Sequence, residues 1–207
     1  MSRYFTTAQW IELLRGLPAK AAILDGGSLR TLTGLGEKAG RQACWRLNRA
    51  GLLTHLGNGL YTHVFAKPSV DELGHQLLIP SYVSLETVLA RRGITTQPCV
   101  FHTCVTPRPT QTRETPLGEI HYHGIAPDLF FGFDRKRGPS GCVYLEAWPE
   151  KALLDLVYLE RRAGRGIWID LDFGALDGRR LDEAAERFPA SVRREVAGLR
   201  RTHEVVS

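Results

Sequence analysis

The chain has 207 residues, enough for one domain or two small ones, and its 43% hydrophobic and 24% charged residues are typical of a soluble globular protein. No apolar run approaches the roughly 18 residues of a membrane-spanning helix, and the start MSRYFTTAQW lacks the apolar core of a signal peptide. The four cysteines form no CxxC pair. We therefore expect a cytoplasmic protein with free thiols and no membrane partner.

The positive charge of the chain is concentrated in its first third. Residues 1–67 hold nine basic and three acidic side chains, a net charge of +6, whereas residues 68–207 hold 18 basic and 19 acidic ones. A basic module usually has a polyanion as its partner. The break at Lys67-Pro68-Ser69 predicts two domains, residues 1–67 and 68–207.

The first domain reads as three helices with a short strand between the first two. Thr7 is the expected cap of the first helix, which should end near Gly16. An apolar run at residues 22–24 predicts the strand, and Ser28 is the expected cap of a second helix over residues 29–33. A third helix is expected at residues 37–50.

The third predicted helix is amphipathic in an unusual way. At 100° per residue its small and apolar side chains occupy one arc of about 140°. A second arc of similar width contains no acidic residue and comprises Lys38, Arg41, Gln42, Trp45, Arg46 and Arg49. A solvated face normally mixes charge signs, so this pattern favours a surface for phosphates and base edges. A purely solvated face is the alternative.

A hairpin signal follows the third helix at once. Gly51 can adopt the left-handed conformation that ends a helix, and Asn58-Gly59 favours a tight turn between strands at residues 52–56 and 60–65. Three helices and a hairpin predict a winged helix-turn-helix, with neutral wing residues Thr54, His55, Asn58, Thr62 and His63. Such a module can bind DNA, or it can serve only protein contacts.

The predicted DNA contacts fall into two groups. Side chains that would face bases or nearby phosphates are Lys38, Arg41, Gln42 and Arg46, since arginine and glutamine can bind guanine and adenine edges in bidentate fashion. Arg30, Arg49 and the Asn58 turn would brace the DNA backbone. Trp45 would pack either against a sugar or against the wing.

The second domain alternates helical and strand signals, which predicts an α+β fold with a mostly antiparallel sheet. We expect a helix at residues 82–90 and a buried helix at residues 150–162, with Pro149 in its first turn. Strands are expected at residues 99–106, 119–125, 129–133 and 142–147. Two charged helices should follow at residues 181–188 and 191–201.

Three segments of the second domain resemble the AbiEi antitoxins of bacterial type IV toxin–antitoxin systems. They are PSYVSLETVLARRGI (80–94), FHTCVTPRPTQTRETPLGEIHYHGIAPDLFFGF (101–133) and WPEKALLDLVYL (148–159). The resemblance extends over most of the chain, including the winged helix. It implies a transcriptional autorepressor and antitoxin, AbiEi-like over residues 68–207, that counters a nucleotidyltransferase-like toxin. It does not require direct contact with that toxin.

Other functional patterns are weaker. Gly26-Gly27-Ser28 and the pair Asp170 and Asp172 have the residue types of a nucleotidyltransferase site, but they stand more than a hundred residues apart. His102, Cys104, His121 and His123 could bind zinc only if their strands were adjacent. We expect no catalytic residues, no metal and no cofactor.

A stiff stretch between the expected strands is a candidate interaction surface. Arg108 and Arg113 lie among three prolines there, and rigid, charged connections often carry binding residues. A solvated connection between strands is the alternative.

Two partners are predicted for the whole chain. One is double-stranded DNA at its own promoter, as an inverted repeat, and the other is the toxin, as a functional partner. The competing hypothesis is a protein-interaction module that binds a toxin or another partner and has only incidental DNA affinity.

Overall fold

Helices and strands alternate along the chain in a mixed α+β fold. The computed structural model describes residues 5–18, 21–167 and 169–206, with side chains up to Thr202. The helices in these ranges are α1 Thr7–Arg15, α2 Gly26–Thr33, α3 Glu37–Arg49, α4 Val70–Leu77, α5 Glu86–Arg91, α6 Pro149–Arg162, α7 Gly178–Ala185 and α8 Ala190–Val206. The strands are β1 Ile23–Asp25, β2 Leu53–Gly57, β3 Leu60–His63, β4 Tyr82–Val83, β5 His102–Thr106, β6 Gln111–Thr115, β7 Gly118–Gly124, β8 Phe133–Arg137 and β9 Val143–Ala147.

Two compact units can be separated along the chain. The first comprises Met1–Leu77, Thr115–Leu117 and Arg137–Tyr144, and the second comprises Leu78–Glu114, Gly118–Lys136 and Leu145–Ser207. Residues 68–77 thus group with the first unit, while the predicted boundary after residue 67 stays a prediction. Among the described helices, none is both long and apolar enough to cross a membrane.

The first unit contains α1–α3 and a three-stranded antiparallel sheet of order β1-β3-β2. The predicted caps of the first two helices were wrong by a few residues. Thr6 rather than Thr7 caps α1 in a capping box with Gln9, and Asp25 rather than Ser28 caps α2 through the Ser28 backbone N–H at 2.7 Å. In both helices the observed cap and the predicted cap lie within three residues of each other, and both are of types that cap helices well.

The predicted hairpin is present. Gly51 has φ +70°, and the two turn residues Asn58 and Gly59 both have positive φ, as a tight turn between antiparallel strands requires. A core beneath the helices and β2 is formed by Trp10, Leu14, Leu24, Leu29, Ala43, Cys44, Leu47 and Leu53. Burying side chains of this size stabilises a fold by about 1.5–3 kcal/mol for each large one.

The second sheet has six strands in the order β6-β7-β5-β4-β9-β8. Its sequence-based description as mostly antiparallel needs correction. β4 pairs antiparallel with β5, but β4 pairs parallel with β9 and β5 pairs parallel with β7. The sheet is therefore mixed.

Several element predictions in this part of the chain were wrong. Residues 82–90 do not form one helix, since β4 is followed by Leu85 at φ +58° and only then by α5. The strand expected at residues 129–133 does not form over that range. Leu129 ends a 3₁₀ turn, Pro127–Leu129, and β8 begins only at Phe133. The strand β6 and the helix α4 had no predicted counterpart.

The helix α6 lies at the centre of the second unit and contacts α5, α7 and α8. Lys151 and Asp155, one turn apart on α6, are both fully buried and form an ion pair. The Lys151 Nζ also donates to the Tyr82 hydroxyl at 2.8 Å, and Asp155 accepts hydrogen bonds from the hydroxyls of Tyr82 and Ser84, both at 2.9 Å. This buried network joins α6 to β4 and to the segment that follows it.

Candidate nucleic-acid interface

Helix α3 separates its residues into a buried side and an exposed side. Gly40, Ala43, Cys44 and Leu47 are buried in the core of the first unit. All six side chains of the predicted polar arc are exposed: Lys38, Arg41, Gln42, Trp45, Arg46 and Arg49. We call this set the α3 face. Its four cations and its two flat side chains, an amide and an indole, are accessible to a partner.

The α3 face contains no acidic residue, but one of its arginines has an acidic neighbour. Glu37 lies one turn before Arg41, and its Oε1 is 3.6 Å from the Arg41 Nη2. The two side chains are 67% and 76% exposed, and exposed pairs of this kind add little stability. A phosphate can therefore replace Glu37 at small cost. The i,i+4 spacing that creates the pair was readable from the sequence.

Trp45 lies on the surface and is 59% exposed, so it is not buried against the hairpin. The guanidinium carbon of Arg49 lies 4.8 Å from the centre of the indole ring. This cation–π contact fixes the two side chains relative to each other. It leaves an aromatic surface beside the cations of the α3 face.

Arg30 takes a different position from the other predicted contacts. It is half-buried, and its aliphatic stem covers Gly40 on the buried side of α3: a Cβ at Gly40 would lie 2.7 Å from the Arg30 Cγ. Gly40 thereby permits the close approach of α2 and α3 that the pattern of apolar residues did not reveal. The structure does not place Arg30 on the α3 face.

The hairpin is tied to α3 by a side chain that the sequence analysis did not single out. The Asn48 Oδ1 accepts a hydrogen bond from the His55 backbone N–H at 3.2 Å, which links the end of α3 to β2. Asn58, at the hairpin turn, is exposed, and its Nδ2 donates to the Leu77 carbonyl at 3.1 Å. Neither bond had a signal in residue spacing, because each joins separate elements.

Two of the predicted wing residues are not on the surface. Thr62 and His63 are buried, whereas Thr54 and His55 are exposed. These two residues are consecutive and therefore point to opposite faces of β3, so both faces of this central strand are covered at its end. Burial lowers the pKa of the His63 imidazole below its ordinary value.

The stretch with Arg108 and Arg113 is only partly a loop. Arg113 lies on β6, an edge strand of the six-stranded sheet, and its Nη2 donates to the Gln111 Oε1 at 2.5 Å. Arg108 is exposed in the connection that precedes β6. Charged side chains on an edge strand hinder pairing with a further strand, which gives them a structural role without any partner.

The strand register separates the two halves of the hypothetical zinc site. β5 and β7 are adjacent, but Thr103 pairs with His121 and Val105 pairs with His123. His102 and Cys104 therefore share the opposite face of the sheet from His121 and His123. Throughout the described residues, no three His, Cys, Asp or Glu side chains are grouped so that they could hold a metal ion.

The residues that resemble halves of a nucleotidyltransferase site have local structural roles. Gly26, Gly27 and Ser28 form the first turn of α2, which Asp25 caps. The Asp172 carboxylate accepts the Gly174 backbone N–H at 2.8 Å at the start of a 3₁₀ turn. Backbone capping accounts for the Gly-Gly-Ser motif and for Asp172.

No family model matches this chain, and no curated protein matches it significantly.

Proposed function

We propose that the first unit is a winged helix-turn-helix that binds double-stranded DNA, with α3 as the recognition helix and the β2–β3 hairpin as the wing. The observation that carries the proposal is the α3 face, on which four cations, Gln42 and Trp45 are exposed together on one side of one helix. A helix of this kind fits the major groove of B-DNA, which is about 12 Å wide.

The side chains of the α3 face suit different parts of a duplex. Arg41, Gln42 and Arg46 can form bidentate hydrogen bonds to base edges. Lys38 and Arg49 supply charge for phosphates. The wing adds neutral hydrogen-bonding groups, at Thr54 and His55, so most of the attraction to phosphate must come from α3.

The proposed role of this binding is autorepression, with the protein acting on its own promoter. Two copies on an inverted repeat would place their recognition helices about one helical turn, roughly 34 Å, apart. The resemblance of the second unit to AbiEi antitoxins supports the further proposal that the chain is the antitoxin of a type IV system. Its target would be a nucleotidyltransferase-like toxin, which it need not contact.

A salt titration of binding to the upstream DNA of the gene tests the DNA-binding proposal. Contact with about five phosphates predicts that log K falls with log[salt] at a slope near −4 to −5. A slope near zero, or equal affinity for upstream and unrelated DNA, contradicts sequence-specific repression.

A matched pair of arginine variants localises the contact. Arg46→Ala removes one cation of the α3 face and should reduce the salt slope by about 1 and weaken operator binding. Arg179→Ala removes an exposed arginine of α7, which pairs with Glu183 one turn on, and should change neither quantity. Equal effects of the two variants would mean that net charge alone, and not α3, determines binding.

Arg41→Ala separates base recognition from phosphate contact. If Arg41 contacts a base, the variant should lose about 1–3 kcal/mol of affinity for the operator and little for unrelated DNA. Equal losses for both DNAs would assign Arg41 to phosphate alone.

The antitoxin role is tested with the complete chain and the neighbouring toxin gene in a cell. With the antitoxin expressed from a foreign promoter, wild type and the Arg41→Ala/Arg46→Ala double variant should both restore growth. Only the wild type should repress a reporter under the native promoter. If neither protein restores growth, the antitoxin proposal fails while the DNA-binding proposal stands.

One observation favours a second candidate, a module that binds another protein. Exposed tryptophan and arginine are frequent anchors of protein interfaces, and Trp45 with Arg49 is such a pair. Trp45→Ala should then abolish capture of that partner while DNA binding shows a nearly flat salt dependence. A steep dependence favours the DNA-binding function.

A further inference from the structure

The second unit contains a cavity of about 390 Å³ that the proposed function does not use. Its lining combines residues from α5, β7, α6 and the segment before β5, among them Glu86, Phe101, His121, His123, Leu156 and Glu160. Its volume is within the range of small-molecule sites, about 300–1,000 Å³. Most of its wall is apolar, with a few polar groups that converge from separate elements, as is typical of ligand pockets.

Two carboxylates face this cavity in different electrostatic states. Glu160 is 13% exposed, and both its oxygens accept hydrogen bonds from Arg165, each at 2.7 Å. Glu86, at the first position of α5, is half-buried, and its pKa is raised, first by burial and then by the negative charge of Glu160. A positive group in the cavity would offset both effects, because it stabilises the charged form of the Glu86 carboxylate.

Aromatic side chains form another part of the wall. The rings of Phe101 and His121 are stacked with their centres 4.3 Å apart and their planes 16° from parallel. Outside the cavity lining, the Glu119 Oε1 lies 2.8 Å from the His121 Nε2 and holds this ring in place. Burial lowers the pKa of His123 and favours its neutral form. Flat rings beside carboxylates suit a planar cation.

We propose that this cavity binds a small organic cation, a planar amidinium or guanidinium group attached to an apolar ring. The cationic group would lie against the carboxylates of Glu86 and Glu160, and the ring would fill the apolar space beside Phe101. An anionic ligand of the same shape would be disfavoured by the Glu86 carboxylate, because the charge of Arg165, which also lines the cavity, is already paired with Glu160. This site is independent of the α3 face and of DNA binding.

Three ring compounds of equal size test the charge requirement on the complete wild-type chain. Benzamidine is cationic, benzamide is neutral and benzoate is anionic. NMR of the imidazole signals of His121 and His123 should show saturable shifts with benzamidine, at least tenfold weaker binding of benzamide and none of benzoate. Equal binding of benzamide, or no saturable shift with benzamidine, overturns the proposal.

A pair of glutamine variants tests the assignment of the carboxylate. Glu86→Gln removes the charge inside the cavity and should weaken benzamidine binding at least tenfold with little change for benzamide. Glu119→Gln removes a charge beside His121 but outside the lining, and it should change benzamidine binding less than twofold. Equal losses in both variants would contradict a role for Glu86. The wild-type comparison does not depend on whether either variant folds.

Discussion

Two regions of this protein place cations in opposite environments, the α3 face in the first unit and the buried part of α6 in the second. On the α3 face the lysine and arginine side chains are exposed, and exposed charges generally contribute little to stability. In the second unit, Lys151 is fully buried, bonded to Asp155 and Tyr82, and its Nζ lies 5.0–5.2 Å from the rings of Tyr82, Phe131 and Phe188. An exposed cation remains available to a partner, whereas a buried one is committed to structure. The same residue types should therefore respond differently to substitution.

The largest expected effect is the loss of one member of the buried pair. Lys151→Met leaves Asp155 buried without its cation and should lower the free energy of unfolding by about 3–5 kcal/mol. The double variant Lys151→Met/Asp155→Leu removes both charges and should be clearly more stable than the single variant. Urea denaturation of both proteins measures the difference. A double variant less stable than the single one would show that the network is held by packing and not by charge pairing.

The substitution Gly138→Ala tests whether a buried charge also stabilises the first unit. The buried Glu72 carboxylate accepts hydrogen bonds from the Ser69 and Cys142 backbone N–H groups and the Ser140 hydroxyl, at 2.7–3.0 Å. A Cβ at Gly138 would lie 2.2 Å from the Glu72 Cδ. The displaced carboxylate should lose these bonds, which lowers stability by about 2–3 kcal/mol.

Gly198→Ala is the control for that substitution. Gly198 lies within α8, and apart from the backbone of its own helix a Cβ there would meet no atom of the described residues within 4 Å. Alanine in a helix interior is favoured over glycine by up to about 1 kcal/mol, so this variant should be slightly more stable than wild type. If thermal denaturation shows a similar loss for both variants, the crowding at Glu72 does not explain the effect of Gly138→Ala.

The buried histidine of β3 should make a smaller, pH-dependent contribution to the stability of the first unit. Burial lowers the pKa of His63, and its Nδ1 has no hydrogen-bond partner among the described residues. The unfolded chain therefore takes up the proton first, and stability should fall as the pH drops below about 6.5. Relative to wild type, His63→Gln should lose less stability between pH 7 and pH 5. Parallel profiles would mean that His63 does not carry this dependence.

How far the sequence could predict these features depends on their locality. The face of α3 and the hairpin were predictable because a helical period and an Asn-Gly turn act within a few residues. The region of β4 was not, because residues 82–85 are buried on every side and a fully buried segment has no polar face to reveal its period. The strands of the mixed sheet similarly depend on pairing partners far away in the chain.

The same distinction holds for the sites. The α3 face was visible because its six residues share one short helix, and only the exposure of Trp45 and the inward position of Arg30 had to come from the structure. The cavity had no comparable signal, since its carboxylates and rings come from four separate elements. The segments at residues 80–94 and 148–159 contribute Tyr82, Ser84, Lys151 and Asp155 to one buried network, so these four residues have a structural role in the core.

The smallest expected change in stability belongs to the α3 face. A variant with Lys38, Arg41 and Arg46 all replaced by alanine removes three exposed cations from a helix, and each substitution should change stability by less than about 0.5 kcal/mol. Alanine also has the highest helix propensity, which offsets the loss of the Arg41–Glu37 contact. Denaturation should therefore resemble that of the wild type while affinity for the operator is lost. A large loss of stability instead would mean that these cations are committed to the fold, as Lys151 is, and the contrast between the two units would disappear.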